Sequence, residues 1–346
     1  MNKLARLFLA LSAGCLLLAT SCHKNDEDTP PAPRVAMLAY GVTFDDKAFL
    51  QNCKIGLVKA SADFGLECAW DIDTTTDRYT ERLEKYCDQG FDMIIAVGYM
   101  WSDAVAAAAV RYPATKFVLV DSGLPEYLEN AASILFDVDQ AAYPLGFLAA
   151  WWAENSDAYD PAVGYVGALP IPQIRQFTEP FLNGVQRYND EYGSAVKTYG
   201  AYAGSFLDAG LGAHLSDSLI GRGATVIFGV GGQAGSGALL AARDRGKTGI
   251  GVDVDQCISI PELSTTLLSS AMKGLDVTIY AVMRAFINGN FPGGGVYSGN
   301  LQNGGVQPAP YHHFETMIPD GIRNEIEEIK AGIISGAIST GWNGKL

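Results

Sequence analysis

What this chain lacks first are the signatures of metal and thiol chemistry. Its six cysteines show no CxxC spacing, so neither a structural zinc site nor a thioredoxin-like couple is expected. Histidine is scarce, with four in 346 residues. His23 lies near the N-terminus, His214 on an expected helix surface, and His312-His313 form a lone pair in a late loop. There is no HExxH helix and no Gly-x-Ser-x-Gly elbow, which removes the common metal-assisted and serine hydrolases. Basic charge is short as well: 24 Lys and Arg face 38 Asp and Glu, a net charge of −14. Such a surface repels nucleic acid and anionic lipid. The expectation is a monomer that is not an enzyme, with no cofactor, no metal and no nucleic-acid partner.

What is present begins with a leader. Lys3 and Arg6 precede an apolar stretch from Leu7 to Ala19, too short to span a bilayer comfortably, and small residues follow, as in a secretory signal. Residues 1–21 read as that signal. Leu18-Ala19-Thr20-Ser21-Cys22 resembles a bacterial lipobox, which makes Cys22 the lipidation site. Residues 22–33, charged and Pro-rich with nothing to bury, read as a flexible tether. The expected location is the cell envelope, facing the periplasm or the exterior. Cys53, Cys68, Cys87 and Cys257 are expected as buried free thiols.

From Arg34 onward, short apolar runs alternate with helical stretches. Nine runs stand out: 35–39, 66–70, 93–97, 117–120, 132–136, 163–166, 196–199, 226–228 and 250–252. Nearly all are continuous rather than alternating, as strands buried on both faces are. Stretches such as 139–153, 173–192 and 233–245 are long enough for crossover helices, so parallel sheets are predicted. Nine strands exceed one comfortable sheet, and two doubly wound α/β lobes follow. The polar cluster from Asn155 to Pro161 predicts the first boundary, giving 34–158 plus about 257–295 for one lobe and 159–256 plus about 296–346 for the other. The Gly-rich stretch 288–310 reads as loop, edge strands and hinge. Ile322, Ile326, Ile329 and Ile333 share one face of a last helix.

Ligands of open parallel sheets bind beyond the carboxyl ends of the strands. Just past the runs lie Asp45-Asp46, Gly98-Tyr99, Asp121, Phe206, Gly231-Gly232 and Asp253. Carboxylates accept from sugar hydroxyls, glycines admit the backbone, and an aromatic face stacks on a flat ring. Each has a bland reading too. An aspartate there can be a helix cap, Phe206 a core residue and Lys273 a surface lysine.

The order of segments resembles the basic membrane protein family of substrate-binding lipoproteins. The stretches that carry the resemblance include Phe44-Asp45-Asp46-Lys47-Ala48-Phe49, Lys116 to Asp121, Tyr143 to Ala150, Gly204-Ser205-Phe206-Leu207-Asp208, Gly251-Val252-Asp253 and Lys273-Gly274-Leu275-Asp276. They span nearly the whole chain beyond the tether. The resemblance implies a type I periplasmic-binding fold with a multi-strand hinge, a nucleoside ligand with purine favoured, and delivery to an ABC permease. It assigns ribose contacts to Asp45, Asp121, Asp253 and Lys273, with Asp46 beside them, base stacking to Phe206, and the pocket backbone to Gly231 and Gly232. Leu50 and Lys54 depart from the family pattern, which puts one side of the base sandwich in doubt and offers Tyr99 or Trp101 as substitutes.

Two rival readings have their own residues. Gly229-Val230-Gly231-Gly232 with Gly235 and Gly237, followed by Asp253, mimics a dinucleotide fingerprint, but its third glycine would fall on Ala234. An NAD-dependent enzyme is therefore disfavoured. A binder of a sugar or free base that acts as a sensor is the other alternative.

Overall fold

The computed structural model describes residues 31–156 and 160–344. The expected signal and Cys22, the expected lipidation site, lie outside them. The first sheet is built from β1 (Arg34–Tyr40), β2 (Glu67–Asp73), β3 (Met93–Val97), β4 (Lys116–Val120) and β5 (Ala131–Phe136), with helices α1 (Phe49–Phe64), α2 (Tyr79–Asp88) and α3 (Ser102–Arg111) between them. The chain continues through α4 (Asp139–Glu154), β6 (Ala162–Gly167), α5 (Pro172–Tyr192), β7 (Lys197–Tyr202), α6 (Ala209–Gly221), β8 (Ala224–Val230), α7 (Gly232–Asp244), β9 (Thr248–Asp253) and the short α8 (Gln256–Ser259). It ends with β10 (Leu267–Lys273), α9 (Leu275–Ile287), β11 (Val296–Gly299), β12 (Val306–Pro308) and α10 (Asp320–Ser335).

Two six-stranded sheets result, ordered β11-β5-β4-β3-β1-β2 and β12-β10-β9-β8-β6-β7. Every pairing is parallel except that of β12 with β10. The central strands β1, β3 and β8 are apolar and buried along their length, whereas β2 and β7, at the sheet edges, alternate partly exposed residues. This is the two-lobed α/β architecture that the continuous apolar runs predict, and all nine runs are strands. In α10, Ile322, Ile326, Ile329 and Ile333 are its buried face.

The boundaries fall elsewhere than the composition suggests. The chain leaves the first sheet at Asp137-Val138, because α4 packs against α5, α10 and the second sheet. Asn155 and Ser156 follow α4, and Asp160 and Pro161 precede β6. β10 lies in the second sheet although 257–295 is expected in the first lobe, and β11 joins the first sheet although 296–346 is expected in the second. β10 escapes notice because Ser269 and Ser270 interrupt its apolar run. Both are fully buried, and Ser269 Oγ donates to Ala309 O at 2.7 Å while Ser270 Oγ accepts from Gln256 N at 3.3 Å.

Three segments cross between the sheets, at Asp137-Val138, Gly274 and 300–305, and they bond to one another. Asp137 N donates to Gly299 O at 2.7 Å and Gly274 N to Gly305 O at 2.9 Å. That is the hinge.

Candidate functional site

The carboxyl ends of both sheets face one cavity between the lobes, enclosing about 840 Å³, part of it open to solvent. Asp121 follows β4 and Asp253 ends β9. Both adopt positive φ, 65° and 69°, a conformation tolerated by aspartate better than by most residues. Lys273 ends β10. Its ammonium donates to both oxygens of Asp121 at 2.9 Å and lies 3.6 Å from Asp253 Oδ1. All three side chains are buried.

Burial without full compensation shows in the ionisation. Asp253 is pushed up to about 6, first by desolvation and then by the charges of Asp121 and Asp46, with Lys273 opposing. For Lys273, burial works to lower the pKa, but Asp121 and Asp253 together outweigh it and hold the ammonium above its ordinary value. Three rings surround that ammonium: Phe49 and Phe177 with centroids at 5.1 Å, and Phe136 at 5.9 Å. A cation against aromatic faces is stabilised by their quadrupoles.

The two neighbouring aspartates after β1 divide their tasks. Asp46 lines the cavity, and its oxygens accept the backbone N–H groups of Ala48, Leu50 and Gln51, each at 3.0 Å. It thereby satisfies two free donors of the first turn of α1, those of Leu50 and Gln51. Burial still raises its pKa against those hydrogen bonds. Asp45, expected at the ligand, points outward and pairs with Lys47 at 2.6 Å on the surface. The correction has a local cause: once Asp46 turns in to cap α1, its chain neighbour is directed to solvent.

Phe206 lines the cavity, packed on Gly231 and Gly232. Both glycines have positive φ, and a Cβ on Gly232 would stand 2.7 Å from Phe206 O. Only glycine admits both the turn and this approach. The remaining glycines of the pseudo-fingerprint are packing positions. A Cβ on Gly235 would meet β8 backbone, and one on Gly237 would lie 2.2 Å from Ala209 O in α6.

Tyr99 lines the cavity, whereas Trp101 is fully buried elsewhere, edge-on to Tyr79. Leu50 also lines it. Lys54 faces away, with its ammonium 4.1 Å from the Trp70 ring centroid, so that departure does not touch the site. Strand-end reasoning missed Phe49, Gln173, Phe177 and Gln233, all of which line the cavity. Gln173 and Phe177 are four residues apart on α5, a spacing that marks one helix face.

Cys53, Cys68, Cys87 and Cys257 are free thiols, and all but Cys68 are buried. The fold also brings Asp255 and Cys257 to His312, donors the sequence separation hides. His312 Nε2 lies 2.6 Å from Asp255 Oδ2, and the Cys257 thiol points at Leu267 O at 3.7 Å. Burial, then Asp255, pushes that thiol up to about 12. Each donor of the trio thus already has a protein partner.

Residues 32–340 match the family model Bmp, described as ABC transporter substrate-binding protein PnrA-like. Among relatives, the chain is 27% identical over 314 residues to a lipoprotein of Pyrococcus abyssi, covering 86% of this chain and 76% of that one. It is 25% identical to the ABC transporter nucleoside-binding protein BmpA of Lactococcus lactis subsp. cremoris, covering 98% and 97%. A solved ABC transporter solute-binding protein of Aeropyrum pernix superposes with a TM-score of 0.82 at 26% identity, over 89% of this chain and 93% of the other.

Proposed function

Because the chain belongs to the PnrA-like family of ABC transporter substrate-binding proteins, we propose that its cleft captures a nucleoside, purine favoured, and delivers it to the permease of an importer, with Cys22 as the lipid anchor. The observation that carries this reading is the meeting of Asp121, Asp253 and Lys273 with Phe49, Phe177 and Phe206 around one interlobe cavity. The polar cluster suits vicinal hydroxyls: the carboxylates accept, and the ammonium donates. The rings suit the face of a base. A relative named as nucleoside-binding, matched over nearly its full length, supports the same ligand class.

The mechanism is closure around a guest. A ligand resting on one lobe offers its hydroxyls to groups on the other, and its differential affinity for the closed form shifts the population toward it. The permease then reads the closed form. Lys273 of the second sheet bonds Asp121 of the first, so a ligand must share or displace that pair. No covalent step is needed for this task.

Calorimetric and thermal-shift titration of the protein with nucleosides, free bases and pentoses tests the reading. A nucleoside at a hundredfold excess over its Kd adds about 2.7 kcal/mol to stability. Stabilisation by free sugars or bases with none by nucleosides replaces this ligand class with another and favours the sensor alternative.

A further inference from the structure

Among the described residues, one fully buried side-chain polar atom lining the cavity lacks a hydrogen-bond partner. Gln173, the second residue of α5, lines the cleft, and its Oε1 is buried without a hydrogen-bond donor. Its surroundings place it at the aromatic side. The neighbouring Ile174 and the Phe206 ring both border the spot where a Gly231 side chain would stand, at 3.0 and 3.3 Å, and Phe177 follows one turn along the helix. From the other lobe, Leu50 offers no polar atom, and three of the roughly four acceptor sites of Asp46 are taken by backbone N–H groups. The cavity therefore has hydroxyl-binding capacity around Lys273 and an unanswered amide carbonyl near the rings.

We infer that Gln173 reads the edge of the ligand's heterocycle, its Oε1 accepting a ring or exocyclic N–H while its Nε2 donates to the adjacent ring nitrogen or carbonyl. The inference rests on the nucleoside reading and deepens it. A side-chain amide is a donor beside an acceptor. A 6-aminopurine presents an amino donor beside a ring-nitrogen acceptor, and a 6-oxopurine presents a ring N–H beside a carbonyl. Rotation of the amide by half a turn matches either. A purine with no substituent at that position has no N–H to give, and binding it leaves Oε1 desolvated and unpaired, which costs roughly tenfold to a hundredfold in affinity.

The test compares adenosine, inosine and unsubstituted purine riboside on the wild-type protein, Gln173→Leu and Gln173→Ala. In the wild type, adenosine and inosine bind at least about tenfold more tightly than purine riboside. In both variants that preference falls to about threefold or less, while purine riboside itself changes little. Because the readout is a ratio measured within each protein, a general loss of stability does not imitate it. A wild-type protein that binds all three alike, or variants that keep the full preference, overturns the role of Gln173 and leaves the nucleoside reading standing. A wild-type protein that binds no nucleoside overturns both.

Discussion

Asp253 carries the tension of the site at the scale of the residue. Its pKa is raised from the usual carboxylate value of 3.8 to about 6, so the fold binds its proton more tightly than the unfolded chain does. A raised carboxyl contributes stability below its unfolded pKa and loses it as pH climbs through the folded value. Above pH 6 the ionised group therefore weighs against the ligand-free protein, on the order of 1–3 kcal/mol for a shift of about two units. Asp253→Asn is expected to raise the ligand-free melting temperature at pH 7.5, with the gain vanishing near pH 4, while weakening nucleoside binding by about 2–5 kcal/mol. A variant that melts lower at pH 7.5 and binds as tightly as the parent contradicts this account. Single residues were legible where a strand end fixed them: Asp121, Asp253, Phe206 and the Gly231-Gly232 pair all border the cavity. Asp45 was misassigned because adjacent aspartates differ only in which one caps α1, a choice made by the three N–H groups that Asp46 satisfies.

At the scale of the element, α4 and α5 pack with their backbones in close approach. A Cβ on Gly146 would lie 1.9 Å from Phe181 O, and one on Gly184 would lie 2.0 Å from Tyr143 O. The two helices cross backbone to backbone, each presenting a glycine to the other's carbonyl. Helix propensity alone would make Gly184→Ala stabilising by about 1 kcal/mol. The clash with fixed backbone outweighs that gain, and a net loss of about 1–3 kcal/mol is expected from chemical denaturation. Unchanged stability would mean that the helices can part without cost. The glycine pair does not announce itself in a single sequence, and neither does the lobe to which α4 belongs: its apolar residues surround the whole helix, so periodicity names no partner. The inner strands, by contrast, are plain from their continuous apolar runs, while β10 is not, because its buried serines find hydrogen bonds only in the folded state.

For the whole molecule, the two lobes are held by the hinge and by ties across the cleft. Besides Lys273 and Asp121, Ser259 Oγ donates to Lys47 O at 2.6 Å. None of the helices among the described residues is long and apolar enough to cross a membrane. The full chain is expected to sediment with membranes when expressed in a bacterium, and Cys22→Ala to move to the soluble fraction; an identical distribution of the two would remove the anchor. The interleaving of the chain has a consequence for how this receptor comes into being. The first sheet waits for β11 and the second for β12, so no single cut yields two finished halves. During synthesis neither lobe is complete until almost the entire polypeptide has emerged, and the recognition cleft is therefore among the last parts of the protein to take shape.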